Sequence, residues 1–115
     1  MAKRICLPFV VKDIPDPGSR EFCIGEQENM RQGFIVRKNG QVYAYHNQCP
    51  HTGAPLNWSE HVFLDSEDEL IQCAMHGTLF MIETGYCLRG PCLGNSLHKI
   101  SLTVDAKGQI FAEIN

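Results

Sequence analysis

Four side chains in this sequence have the types and spacing of metal ligands. Cys49 and His51 stand with one residue between them in "NQCPHTGAPLNW" (47–58), and Cys73 and His76 with two between them in "QCAMHGTLF" (72–80). Gly53, Pro55 and Gly77 break both stretches, so neither pair sits within a strand or a helix; each belongs to a loop. Two thiols and two imidazoles suit zinc in a closed tetrahedral site. Zinc ribbons and fingers, however, take like ligands from one element, whereas each loop here offers one Cys and one His. Mixed pairs make sense if two metal ions lie side by side, with Cys49 and Cys73 on one and His51 and His76 on the other. That is the donor set of a two-iron, two-sulfide cluster in which histidines replace two of the usual four cysteines. At this point zinc remains the rival reading.

The elements that must position these loops have a period of two almost throughout. "FIVRKNGQVYAYH" (34–46) reads as two strands around Asn39-Gly40, a strong signal for a tight hairpin. "LHKISLTVDAKGQIFAEI" (97–114) repeats the pattern around "DAKG", and "ICLPFVV", "REFCIG" (20–25), "ELIQC" (69–73) and "TLFMIE" (78–83) supply further short strands. No helical period of any length emerges, although "SEHVFLDSEDE" (59–69) has room for a turn or two. Short strands separated by turn residues predict an all-β fold, an antiparallel sandwich or small barrel, with both ligand pairs in connections at one end.

With 115 residues the chain fits one domain, 1–115, large enough to fold without disulfides or metal as staples. Thirteen acids against ten bases give a net charge of −3, and the bases are scattered, so nothing is built to neutralise nucleic acid. The apolar run after Arg4 is interrupted by Pro8 and reads as a strand rather than a secretory signal. No segment approaches the roughly 20 apolar residues of a membrane helix. These features predict a cytoplasmic monomer with no membrane association, and a reducing compartment in which the six cysteines serve metal or redox chemistry rather than disulfides.

The four ligands in this order and spacing resemble the Rieske proteins, whose pattern is Cys-x-His followed by Cys-x2-His. The sequence has "CPH" and "CAMH", with 21 residues between His51 and Cys73, longer than is usual in that family. The resemblance runs from about the Asn39 hairpin to the last strand and includes Gly77 and the "GP" at Gly90 and Pro91. It implies a Rieske-type antiparallel sandwich with a small cluster-binding subdomain made of the two ligand loops, and one [2Fe-2S] cluster held by Cys49, His51, Cys73 and His76. High-potential members carry a disulfide between the ligand loops at positions that match Ala54 and Met75, and hydroxyls at positions that match Thr78 and Phe80. Neither loop position is Cys here and only Thr78 keeps a hydroxyl, which implies the low-potential group, the small ferredoxins and ferredoxin-like domains of oxygenases.

The function this implies is a soluble one-electron carrier whose partners are redox proteins, a reductase and an oxygenase-type acceptor; it is a component of an oxidoreductase system, with no catalytic residue of its own. The chain carries no dinucleotide fingerprint and no separate ligand set for mononuclear iron. The alternatives are a regulatory subunit resembling the small subunit of assimilatory nitrite reductase, and a redox sensor. Other residues have plainer readings. Cys6 and Cys23, in apolar runs, are expected to be small buried hydrophobes. His46, His61 and His98, with no Cys at ligand spacing, are expected to be structural. Cys87 and Cys92 in "CLRGPC" allow a disulfide or a spare ligand, but packing of Cys92 beside the cluster loop is the better expectation. The acidic stretch Asp65, Glu67, Asp68 and Glu69 reads as a solvated loop, with a docking patch as its alternative, and Trp58 is assigned no role.

Overall fold

The computed structural model describes residues 3–24, 31–50, 55–57, 61–73, 77–90 and 93–114. Among the described residues nine strands follow one another: β1 (Lys3–Val10), β2 (Gly18–Ile24), β3 (Arg31–Lys38), β4 (Gln41–His46), β5 (Leu70–Gln72), β6 (Leu79–Met81), β7 (Cys87–Arg89), β8 (Lys99–Val104) and β9 (Gln109–Ile114). They form a six-stranded sheet in the order β1-β9-β8-β4-β3-β2 and a three-stranded sheet in the order β5-β6-β7. Every strand pairing is antiparallel. The all-β expectation holds.

The β3–β4 hairpin is the shared wall. Its turn is where the sequence places it: Asn39 and Gly40 both take positive φ, 54° and 79°, and their N–H groups donate to the Asp16 carboxylate at 2.9 and 2.8 Å. Two successive residues with positive φ are what a two-residue hairpin turn of matching twist requires, which favours Asn-Gly. Beyond the turn, β3 is buried on both faces from residue 33 to 36. Phe34 and Val36 point into one core with Tyr45, Leu56, Phe63, Ile71, Phe80 and Ile82. Ile35 points into the other with Leu7, Phe22, Ile24, Ala44, Ile100 and Ile110. Because side chains alternate across a strand, the same hairpin serves both cores. In the first, Phe34 stacks on Phe63 at 4.3 Å with the rings 5° from parallel. Tyr45 is fully buried there, and its hydroxyl donates to the Ile82 carbonyl at 2.6 Å.

Three expectations are corrected. Cys6 and Cys23 are exposed, not buried. Their neighbours Leu7, Phe22 and Ile24 take the inward positions, so strict alternation leaves the cysteines on the outer face. The stretch expected to hold a helical turn contains no helix over residues 61–69; Leu64 bridges Ile71, and Asp65 shapes a turn by accepting the N–H groups of Glu69 at 2.9 Å and Leu70 at 3.3 Å. A carboxylate that captures nearby backbone donors competes with the helix. Finally, β7 is a strand the sequence reading did not identify, because at three residues, Cys87–Arg89, it is too short to show alternation. No described helix is long and apolar enough to cross a membrane.

Candidate metal centre

The first ligand loop begins where β4 leaves the sheet. The N–H groups of His46 and Asn47 make the last sheet-like bonds, to the carbonyls of His98 and Gln32, both at 2.9 Å. The loop is then closed by a buried side chain: Asn47 Oδ1 accepts the Leu56 N–H at 2.7 Å, and its Nδ2 donates to Asn57 Oδ1 at 2.9 Å. Asn57 in turn donates to the Glu21 carboxylate at 3.0 Å, tying the loop's far side to β2. Leu56 is wholly buried beside it. An amide with both donors and acceptors can replace the backbone partners a loop lacks, which is why one Asn can hold a segment broken by Gly and Pro. Asn47 escaped the sequence reading; an Asn at the first position after a strand was the available signal. His61 is structural as expected, accepting the Glu21 N–H at Nδ1 (2.9 Å) while its carbonyl accepts the Ser19 hydroxyl (2.6 Å).

The second ligand loop joins β5 to β6. The Cys73 N–H donates to the Thr78 carbonyl at 2.8 Å, and the Gly77 N–H to the Cys73 carbonyl at 2.9 Å. Gly77 has a φ of +64°, a conformation glycine adopts without penalty. Cys49 and Cys73 are 2% and 1% exposed and belong to the same buried cluster, with Phe34, Leu56 and Phe80 among its members. Two cysteines brought into one buried apolar cluster suit a metal centre, whose positive charge would stabilise thiolates there. His51 and His76, the other two expected ligands, lie outside the described residues, as do Ala54, Met75, Trp58, Pro91 and Cys92. Among the described residues no three His, Cys, Asp or Glu side chains gather as a metal site.

Thr78 adds a second indication. Its hydroxyl is buried and has no hydrogen-bond partner among the described residues. A buried orphan hydroxyl is uncommon and is explained when an acceptor such as a cluster sulfur completes it. Gly90 lies against it: a Cβ at position 90 would come within 2.7 Å of Thr78 Oγ1, and the glycine has a φ of +110°. The Gly90 turn therefore packs on the second ligand loop. Phe80, fully buried in the same cluster, offers no hydroxyl. Cys87 is buried there too, its thiol donating to the Arg89 carbonyl at 3.5 Å. The donor chemistry present, two buried sulfurs and one unanswered hydroxyl, fits a [2Fe-2S] cluster.

The chain matches the profile of a family described as the Rieske [2Fe-2S] domain over residues 9–112. It is similar to the cholesterol 7-desaturase of Caenorhabditis elegans, 31% identical over 83 residues that make up 61% of this chain and 19% of that protein. It is also similar to apoptosis-inducing factor 3 of Mus musculus, 33% identical over 95 residues, 83% of this chain and 14% of that protein. The chain thus spans less than a fifth of the length of either relative. Among solved structures, the ferredoxin of carbazole 1,9a-dioxygenase from Nocardioides aromaticivorans IC177 superposes with a TM-score of 0.72 at 20% identity, covering 96% of both chains. A complex of reduced oxygenase and oxidized ferredoxin in carbazole 1,9a-dioxygenase contains a chain that superposes at 0.70 with 21% identity, covering 96% of this chain and 91% of that one. A protein described as the small subunit of an NADH-dependent nitrite reductase from Mycobacterium tuberculosis reaches 0.66 at 21% identity, covering 100% and 96%. At these identities the superpositions speak for the fold. The profile match spans nearly the whole chain and embraces Cys49 and Cys73 and the loops that begin at them, and on that ground this protein belongs to the Rieske [2Fe-2S] domain family.

Proposed function

We propose that this chain, acting over residues 1–115 as a single Rieske domain, is a ferredoxin that carries one electron between a reductase and an oxygenase-type acceptor. In this reading Cys49 and Cys73 hold one iron of a [2Fe-2S] cluster and His51 and His76 hold the other. The cluster, when bound, supplies one reversible one-electron step. The protein's own residues do the rest. The apolar wall of Phe34, Leu56 and Phe80 keeps water from the sulfur side. The Asn47 clamp fixes the first loop, so that little rearrangement accompanies a change of charge. The Thr78 hydroxyl donates toward a cluster sulfur, favouring the reduced state.

The observation that carries this reading is the burial of Cys49 and Cys73 in one cluster, each at the start of its loop. Likeness in fold to a ferredoxin found in complex with its oxygenase supports the choice of acceptor. Purified protein should hold about two irons and two acid-labile sulfides per chain and no stoichiometric zinc. Equal zinc without sulfide would end the reading. A chain that holds the cluster but passes no electron to any oxygenase would favour the regulatory alternative, to which the likeness to a nitrite reductase small subunit points.

A further inference from the structure

Beside the first ligand loop lies a cleft of about 730 Å³ whose charge runs against that of the chain. Gln48 and Pro55, on either side of the segment 49–54, form its rim. Arg31 at the start of β3, His46 at the end of β4, and His98 and Lys99 at the start of β8 line it. Register explains the gathering: His46 is opposite Gly33, and Tyr45 is opposite Lys99, so three neighbouring strands bring their basic residues to one end of the sheet. Glu113 on β9 is the one acid on the described wall, and its register partners are Arg4 and Ser101. The single ion pair among the described residues, Arg37 with Asp16, is elsewhere. Arg31, Lys99 and the two histidines therefore share the cleft with Glu113 as the single described counter-charge. Burial is the largest cause pushing the His46 pKa down, with Arg31 and His98 adding to it, so the positive charge of the cleft rests on Arg31 and Lys99.

Two acids, Asp16 and Asp68, are at the other end of the hairpin. Lys38, the last residue of β3, donates from Nζ to the Asp68 carbonyl at 2.9 Å, and Asp16 caps the adjoining turn. Seven residues of strand separate Arg31 from Lys38, about 23 Å at the usual rise. Arg31 and Lys99 are thus at the end of the β3–β4 hairpin beside the loop that starts at Cys49, away from the Asn39-Gly40 turn.

We propose that this cleft receives a carboxylate-bearing segment of the redox partner and so turns the cluster-bearing end of the protein toward it. The inference rests on the carrier reading above and adds the partner's chemistry and the face it meets. A row of carboxylates fits better than a lone phosphate, because Arg31 and Lys99 come from β3 and β8, which flank β4 at about 4.8 Å on either side, and do not converge on one point. Their long-range field would also orient the encounter, despite a net charge of the same sign as the partner segment.

The test uses holoprotein and a fluorescein-labelled octaglutamate peptide at about 10 mM ionic strength, where charges act over about 30 Å. The double variant Arg31→Glu with Lys99→Glu should weaken peptide binding about tenfold, as two exposed charge contacts are lost and reversed. Lys107→Glu, a like change at the far end of β8, should alter it less than about twofold. Equal losses in both variants, or displacement of the peptide by equimolar inorganic phosphate, would overturn the proposal. In parallel, reoxidation of the reduced protein by anionic ferricyanide should slow as salt is added, and the double variant should reverse that trend. A wild-type rate that rises with salt would also overturn it. Failure to deliver an electron to ferricyanide or to cationic hexaammineruthenium(III), with peptide binding intact, would instead defeat the carrier reading on which the proposal rests.

Discussion

The two cores that share the β3–β4 hairpin are built to different rules. The one formed by Leu7, Ile14, Phe22, Ile24, Ile35, Ala44, Ile100, Ile110 and Ala112 is wholly apolar. The other, against the small sheet, mixes Phe34, Phe63 and Phe80 with Tyr45 and three cysteines, and the buried Thr78 lies at its second ligand loop. The first needs only shape and volume. The second accepts polar and ionisable groups, each of which must find a partner or cost stability. Tyr45 finds one in the Ile82 carbonyl, and Thr78 finds none among the described residues. The proposed cluster site falls in the core that carries these polar groups, and the apolar core is on the other side of the shared hairpin.

The sharpest way to break the comparison is to remove a sulfur. Cys49→Ala or Cys73→Ala should take iron and labile sulfide to background, whereas Cys6→Ala and Cys23→Ala, on the outer face, should leave both unchanged. Metal analysis decides this, and retention of the cluster in Cys73→Ala would remove that residue from the site. Next in size, Ile110→Ala in the apolar core should cost about 2–5 kcal/mol in denaturant unfolding, with the cluster spectrum kept by the folded protein. Cluster loss without such a drop would mean that the two cores are not separate.

Tyr45→Phe should cost about 1 kcal/mol, since the buried Ile82 carbonyl loses its donor. In the wild type, burial first and then Glu83 and Tyr43 raise the Tyr45 pKa from 10.0 to about 12. Its contribution is therefore complete below pH 10.0 and is lost as pH rises through about 12, and the difference in tyrosinate absorbance between wild type and Tyr45→Phe should show this phenol titrating near 12. The smallest effect is expected from Thr78→Val, which keeps the shape and deletes the hydroxyl. Stability should change by less than about 1 kcal/mol, while the reduction potential should fall below a wild-type value of roughly −150 mV. An unchanged potential together with a gain in stability would show that the hydroxyl is an orphan and touches no sulfur.

Local signals were legible in proportion to their length. The Asn39-Gly40 hairpin, the alternation of β8 and β9, and the ligand pairs in loops between strands could all be read from neighbouring residues, because turn chemistry and a period of two act over a few positions. Cys6 and Cys23 misled because an apolar run does not say which of its residues faces in; register across β9 and β3 decides that. β7 was too short to declare itself and exists because β6 offers it an edge.

By itself the sequence determined the all-β class, the Cys-x-His and Cys-x2-His pairs and, through them, the cofactor, since metal chemistry depends on residue type and near spacing. Only the tertiary structure decided which cysteines are buried, how Asn47 and Glu21 clamp the first loop, why residue 90 must be glycine beside Thr78, and that Arg31, His46, His98 and Lys99 share one cleft. These contacts join positions tens of residues apart. Their cost and benefit arise when sheets pair and cores close, so they leave no pattern in the chain before it folds.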